Sequence, residues 1–309
     1  MTMARKVSIF GVRGTGKTCY LYAMAQVMGK GVSYDGTTIT LIANDLEQQK
    51  LLNRGIEELA GGEWPMGSQK ATTYDFRVRV QHEDQNRDII PSLIIQDYRG
   101  GLLEGEYEEK VEFEELLGSF SDSCAIVFLV DGETLIQALD PLDVEPEHRA
   151  FLDDTLRLRA GHQISFVENL FMEYKKRNKR IPPVLVAITK SDLFLSQNEL
   201  ENGKAFVKRS LPSLFAKGSG IDAAMTAVSL GENLSRDEQN HIVGKLDITA
   251  SKNPQIPVLY ALYAYLDSVY ERSPGTEQAF MDSVLFMLRR MFEGRVDIYI
   301  NGNPAIEVV

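Results

Sequence analysis

The stretch Gly11-Val12-Arg13-Gly14-Thr15-Gly16-Lys17-Thr18 constrains this 309-residue chain more than any other. It fits the pattern G-x-x-x-x-G-K-[ST]. A short apolar run, Lys6 to Phe10, precedes it, and a helix-compatible run, Cys19 to Met28, follows. Strand, glycine loop and helix is the context in which this pattern has a physical meaning. Glycines let successive backbone N–H groups curl around phosphate oxygens. The N-terminus of the following helix adds partial positive charge. Gly14, Thr15, Gly16, Lys17, Thr18 and Cys19 are therefore the candidate phosphate-binding residues. Lys17 suits the outer phosphates of a nucleotide, and the Thr18 hydroxyl suits Mg²⁺.

A second pattern is an apolar run from Ser92 that ends in Asp97-Tyr98-Arg99-Gly100. An acid at the carboxyl end of such a strand is expected to face the phosphates and hold Mg²⁺ through water. The Gly100 N–H is placed to contact a terminal phosphate. A third pattern selects the base. Pro183 to Ile188 reads as a buried strand and runs into Thr189-Lys190-Ser191-Asp192. The Asp192 carboxylate can accept from both N1–H and the exocyclic amino group of guanine. Adenine has no such donor pair, and an unpaired acid is costly. The stem of Lys190 can lie over the base. A fourth run, Ala224 to Val228, leads into Ser229-Leu230-Gly231, whose backbone N–H groups are candidates for the guanine carbonyl oxygen.

In order and spacing these residues resemble the P-loop GTPases of the Ras-like, translation-factor-related class, over roughly residues 4–270 with insertions. More narrowly, Gly62-Glu63-Trp64-Pro65 and Leu259-Tyr260-Ala261-Leu262-Tyr263 resemble the bacterial double-GTPase group, which is associated with conflict and defence assemblies. The resemblance implies an α/β fold: a mostly parallel sheet, one antiparallel edge strand and helices on both faces. It implies GTP and GDP with Mg²⁺ as ligands, and a protein effector or activator that reads the switch loops. It also requires a hydroxyl from the loop before the second strand as a Mg²⁺ ligand. Ser68 has the right offset, Thr72 is its rival, and Thr73 lies beside it.

The organisation along the chain reads as a nucleotide-binding domain over 1–272, with insertions at about 31–62, 133–160 and 231–254. A C-terminal helix and β-hairpin extension covers 273–309. Thr37 to Ala43 alternates like a strand, and Asp45 caps an apolar-periodic helix that Gly61-Gly62 ends. The only tryptophan, Trp64, reads as an apolar anchor more than as a stacking surface for a base. Tyr74 to Val80 alternates and is expected to be the antiparallel edge strand paired with the one ending at Asp97.

Composition narrows the classes of partner. The chain is 44% apolar and 25% charged, as soluble globular proteins are. A net charge of −11 argues against nucleic acid or an anionic membrane as the main partner. The longest clean apolar run, Cys124 to Val130, is too short to span a bilayer. The two cysteines read as small apolar residues and the N-terminus shows no leader, so a reduced, cytoplasmic setting is expected. The four histidines form no ligand cluster along the sequence.

The catalytic reading is less complete. Ras-like proteins place a water-orienting Gln directly after the D-x-x-G pattern, and here that residue is Gly101. Arg13 occupies a loop position where small Ras-like proteins carry glycine. It either crowds the γ-phosphate or supplies charge to it. Lys17, Arg13 and Arg99 are the candidate catalytic residues, with Glu104 and Glu106 as further carboxylates. The expectation is firm guanine-nucleotide binding with slow or partner-stimulated hydrolysis. The alternative is a module that holds the nucleotide without hydrolysing it.

Overall fold

The strand Ser123–Asp131 shows how this chain builds its centre. Ala125, Val127 and Leu129 enter one buried cluster, while Ile126, Phe128 and Val130 enter a second on the opposite side. A strand covered on both faces needs a continuous apolar run, as parallel strands in α/β proteins have. Tyr74, Phe76, Val78 and Val80 are buried in the first cluster only, and the residues between them are polar. That alternation marks a strand covered on one face.

The computed structural model describes residues 5–12, 14–65, 72–83, 85–97, 109–178, 181–231, 235–236, 242–243 and 250–305. The first elements are β1 (Arg5–Gly11), α1 (Lys17–Lys30), β2 (Val32–Tyr34), β3 (Thr37–Ala43), α2 (Leu46–Gly61), β4 (Thr72–His82) and β5 (Gln85–Asp97). Next come α3 (Glu109–Ser121), β6 (Ser123–Asp131), α4 (Gly132–Ala138), α5 (Pro146–Arg149), α6 (Asp154–Arg177) and β7 (Val184–Thr189). The last are α7 (Gln197–Ser210), α8 (Pro212–Phe215), β8 (Asp222–Ala227), β9 (Ser235–Arg236), β10 (Ile242–Val243), α9 (Ile256–Tyr270), α10 (Gly275–Phe292), β11 (Val296–Ile300) and β12 (Asn303–Pro304).

Among the described residues the main sheet has ten strands in the order β12-β11-β8-β7-β6-β1-β5-β4-β3-β2. The five central strands, β8 to β5, are parallel. Helices α1, α9 and α10 cover the first cluster, and α3, α6 and α7 cover the second. This is the expected α/β architecture, with a parallel centre and helices on both faces.

Two details differ from the sequence reading. The strand β4 does pair antiparallel with β5, but it is not an edge, because β3 and β2 continue the sheet antiparallel beyond it. Alternation identifies a strand with one covered face and says nothing of what pairs with its far side, which is why the edge was misplaced. At the other side, β11 pairs antiparallel with β8 from Val296↔Thr226 to Ile300↔Asp222. The Thr226 hydroxyl donates to the Arg295 carbonyl at 2.8 Å and fixes the start of that pairing. The C-terminal segment thus enters the sheet itself. Its last residues, 306–309, lie outside the described residues.

The segment 31–62 holds β2, β3 and α2. Asp45 caps α2, accepting from the N–H groups of Glu47 and Gln48, and Gly62 ends it at φ 91°. Such a left-handed turn favours glycine. The helix docks on α1 so closely that a Cβ at Gly55 would stand 2.4 Å from the Tyr22 ring.

Candidate functional site

The loop from Gly11 to Gly16 joins the end of β1 to the start of α1, at the carboxyl edge of the parallel strands. Crevices outside that edge are where open α/β sheets bind ligands. Gly14 and Gly16 stand at φ 86° and 75°, and a Cβ at either would meet nothing within 4 Å. Backbone, not side chain, therefore forms the rim there. Gly11 has a different role: a Cβ would stand 2.7 Å from the Leu129 carbonyl oxygen, so this glycine lets β1 approach β6.

Lys17 is buried, and its ammonium donates to the carbonyls of Gly11 at 2.8 Å and Val12 at 3.0 Å. The side chain of Thr15 donates back to Val12 O at 3.0 Å. These bonds tie the loop to itself. No side chain caps α1 and no acid occupies its first turn, which leaves the positive end of the helix uncompensated by carboxylate there. Thr18 is half-buried. Cys19 is buried, and burial pushes its thiol up to about 11, so it stays protonated. Cys19 can contribute a backbone N–H but no thiolate.

One of the guanine-directed residues bonds directly to this loop. The Thr189 hydroxyl donates to Thr15 O at 2.9 Å, with Val130 O at 3.2 Å. One bond thus joins the end of β7 to the P-loop across 174 positions of sequence. Lys190 stands at φ 51°, and its ammonium lies 3.0 Å from Asp131 and 3.1 Å from Glu133. Burial pulls on this lysine most strongly, but the two carboxylates outweigh it and hold its pKa above the ordinary value. Asp192 is exposed in a short turn, Ser191–Leu193, that the Ser191 N–H fastens to Val228 O at 3.2 Å.

Ser229 departs from its expected part. Its N–H is given to Lys252 O at 3.1 Å, and its carbonyl accepts from Lys252 N at 2.9 Å. That N–H is engaged within the chain. What remains is the hydroxyl, which is fully buried and has no hydrogen-bond partner. Leu230, half-buried, packs with Trp64 against Cys19, Ala23 and Leu59. Trp64 is thus an apolar anchor, as its loop suggested, and it touches the cluster that holds two candidate nucleotide contacts.

For the metal, β4 pairs Thr72 with Asp97 in register, and β1 pairs Ile9 with the same Asp97. The two backbones are therefore neighbours beside the P-loop strand. Ser68, Arg13, Arg99 and Gly100, together with Glu104 and Glu106, lie outside the described residues.

Four contributors were not singled out from the sequence. Asp131 and Glu133 fix Lys190, and Gly132 lets the loops touch: a Cβ there would stand 2.5 Å from the Thr189 carbonyl oxygen. Asp131 follows an apolar strand at the carboxyl edge, and that position was the available signal. Glu199 is the fourth. It is 1% exposed and accepts from the N–H groups of Glu145 and Leu195, both at 2.9 Å, and pairs with His148 Nδ1 at 2.7 Å. These bonds brace the turn after Asp192 against the segment before α5.

No family model matches the chain, and no curated protein matches it. Solved structures similar to it include the translation elongation factor SelB from Methanococcus maripaludis in complex with the GTP analogue GppNHp. That likeness has 10% identity, covers 74% of this chain and has a TM-score of 0.33. The chain spans 30% of the elongation factor's own length. The SRβ-GTP/SRX complex of the signal recognition particle receptor from Chaetomium thermophilum is another, at 18% identity, 75% and 94% coverage and a TM-score of 0.40. Among the described residues no helix is long and apolar enough to cross a membrane.

Proposed function

We propose that the chain is a guanine-nucleotide-binding switch protein that takes GTP and GDP with Mg²⁺ and hydrolyses GTP slowly or when a partner stimulates it. The observation that carries this reading is the Thr189–Thr15 hydrogen bond, which holds the T-K-S-D turn against the P-loop. A loop suited to phosphates and a turn suited to guanine share one crevice. In this reading residues 1–272 form the nucleotide-binding domain and 273–309 extend it.

One observation favours the fit of a nucleotide. The open space at Gly14 and Gly16 suits close approach of phosphate oxygens to backbone N–H groups. Lys17 and the N–H groups of Gly14 to Cys19 hold the phosphates. Asp192 reads the N1 and amino edge of guanine. Lys190, steadied by Asp131 and Glu133, flanks the base. Thr18, Asp97 and one of Ser68 or Thr72 hold Mg²⁺, which neutralises charge on the phosphate oxygens. A protein effector or activator reads the segments around Ser68 and Gly100. With Gly101 in place of a glutamine, Arg13 and Arg99 are the cationic side chains nearest in sequence to the phosphates, and intrinsic turnover is correspondingly low.

The test uses Trp64 as an intrinsic fluorophore, since it packs against Cys19 and Leu230. Titrating nucleotide-free protein with GDP and with ADP, each with Mg²⁺, should give a tight transition for GDP alone. Equal affinities would remove the guanine assignment. Single-turnover hydrolysis at rising protein concentration then separates a slow switch from a non-hydrolysing module. GTP that survives every condition intact selects the module.

A further inference from the structure

A cavity of about 560 Å³ lies at the far end of α1 from the P-loop, between that helix, β2, the segment before α9 and the end of α10. Its volume is in the range that takes a whole small molecule, and a bare ion does not fill it. Among the described residues that line it, the charged ones are Lys30, Lys252 and Arg295, all cations, in a chain whose net charge is −11. A local reversal of sign against the background of the chain focuses anions. Arg295 gives one N–H to Met291 O at 3.1 Å, out of the five its guanidinium carries.

The polar inventory of the wall is also incomplete. Gln26 lines the cavity, and its side-chain oxygen is shut away from water with no hydrogen-bond partner. Buried polar atoms without partners are uncommon enough to require a reason. The opposite wall is fixed in place. Lys252 is bonded to Ser229 through both backbone groups, and the Asn253 amide donates to Ala227 O at 3.3 Å. Val27, Val32 and the ring of Tyr34 add apolar surface. Cations at the rim and an apolar wall match an anionic ligand with a body.

We propose that this cavity binds a phosphorylated small molecule of about nucleoside-monophosphate size. The site shares no residue with the P-loop and stands independently of the guanine reading.

The experiment uses full-length Lys17→Ala protein, so that the P-loop does not compete for phosphate. Equilibrium dialysis is run with radiolabelled AMP, ribose 5-phosphate, adenosine and inorganic phosphate. AMP should bind saturably at one site per chain; adenosine, which lacks the charged group, and inorganic phosphate, which lacks the body, should each bind about tenfold or more weakly. Ribose 5-phosphate binding as tightly as AMP would show that the sugar phosphate alone is read, and would equally support the site. Lys30→Glu with Arg295→Glu should weaken AMP by about tenfold or more. Both side chains are exposed, so the double variant should keep its circular dichroism spectrum. The milder Lys30→Gln should weaken AMP in the same direction by less. Absence of saturable binding of both phosphate esters would overturn the proposal. So would AMP binding that the charge reversals leave unchanged, or adenosine binding as well as AMP.

Discussion

At the proposed phosphate end of the site, between Gly11 and Cys19, shape comes from backbone. Gly14 and Gly16 turn through positive φ, and Lys17 rests on two carbonyls of its own loop. At the proposed base end, shape comes from charge and from distance. Lys190 is held by Asp131 and Glu133, and Glu199 gathers the N–H groups of Glu145 and Leu195 with the ring of His148. The first device is contained in one short loop. The second depends on β6, α7, the segment before α5 and Lys252. A contained device can lose its ligand chemistry without loosening the fold. A distributed one ties selectivity for the base to stability.

The sharpest test of that contrast is Glu199→Ala. Removing a buried acceptor strands two backbone donors, so global stability should fall by about 3 kcal/mol in denaturant titration. Guanine affinity should fall with it while pyrophosphate affinity does not. If stability is lost with guanine affinity intact, the base end is not braced from a distance. Next in size is Lys17→Ala. The loss of charged contacts should weaken GDP and GTP by about 2–3 kcal/mol with the thermal midpoint nearly unchanged. A variant that unfolds early would break the claim that the phosphate end is self-contained.

Asp192→Asn should cost about 1–2 kcal/mol in GDP affinity and transfer preference to xanthosine diphosphate, because an amide can donate where a carboxylate only accepts. Competition between the two diphosphates measures it. The smallest effect is the dependence on pH. Burial pushes the Glu199 carboxyl up, but the Glu145 N–H and the His148 ring outweigh it, so its pKa sits below the ordinary 4.5. A lowered folded value gives stability that is complete above the unfolded pKa and is lost as pH falls through the folded one. The parent should therefore lose more stability than Glu199→Gln on acidification below about 4.5. Parallel acid limbs in the two proteins would show that Glu199 is not the group responsible.

The same contrast explains what could be read from the chain. The loop between β1 and α1 was legible because Gly14, Gly16 and Lys17 are neighbours in sequence and its geometry is local. The central strands were legible because burial on both faces demands runs such as Ala125 to Val130. The helix capped by Asp45 carried its signal at its own end. The support of Lys190 was not legible, since Asp131 lies 59 positions away and becomes a partner only when β6 and β7 align. Nor could sequence tell that the Ser229 N–H is occupied. That depends on Lys252 returning beside it as an isolated bridge. The flank beyond β4 was misjudged for a related reason: β3 alternates like any half-covered strand, and its partner is a matter of tertiary assembly.

The main sheet also ends in a particular way. A long sheet normally leaves two rows of unpaired backbone groups, on which other chains can add strands. Among the described residues the outermost strands are stubs. β2 has three residues, and β12 has two, one of them Pro304, which has no N–H to offer. Neither outermost strand, as described, is itself a template long enough to recruit a neighbour. With a net charge of −11 repelling like copies, the chain should stay dispersed at concentrations where a sheet of this width with full-length borders would grow sideways into aggregates.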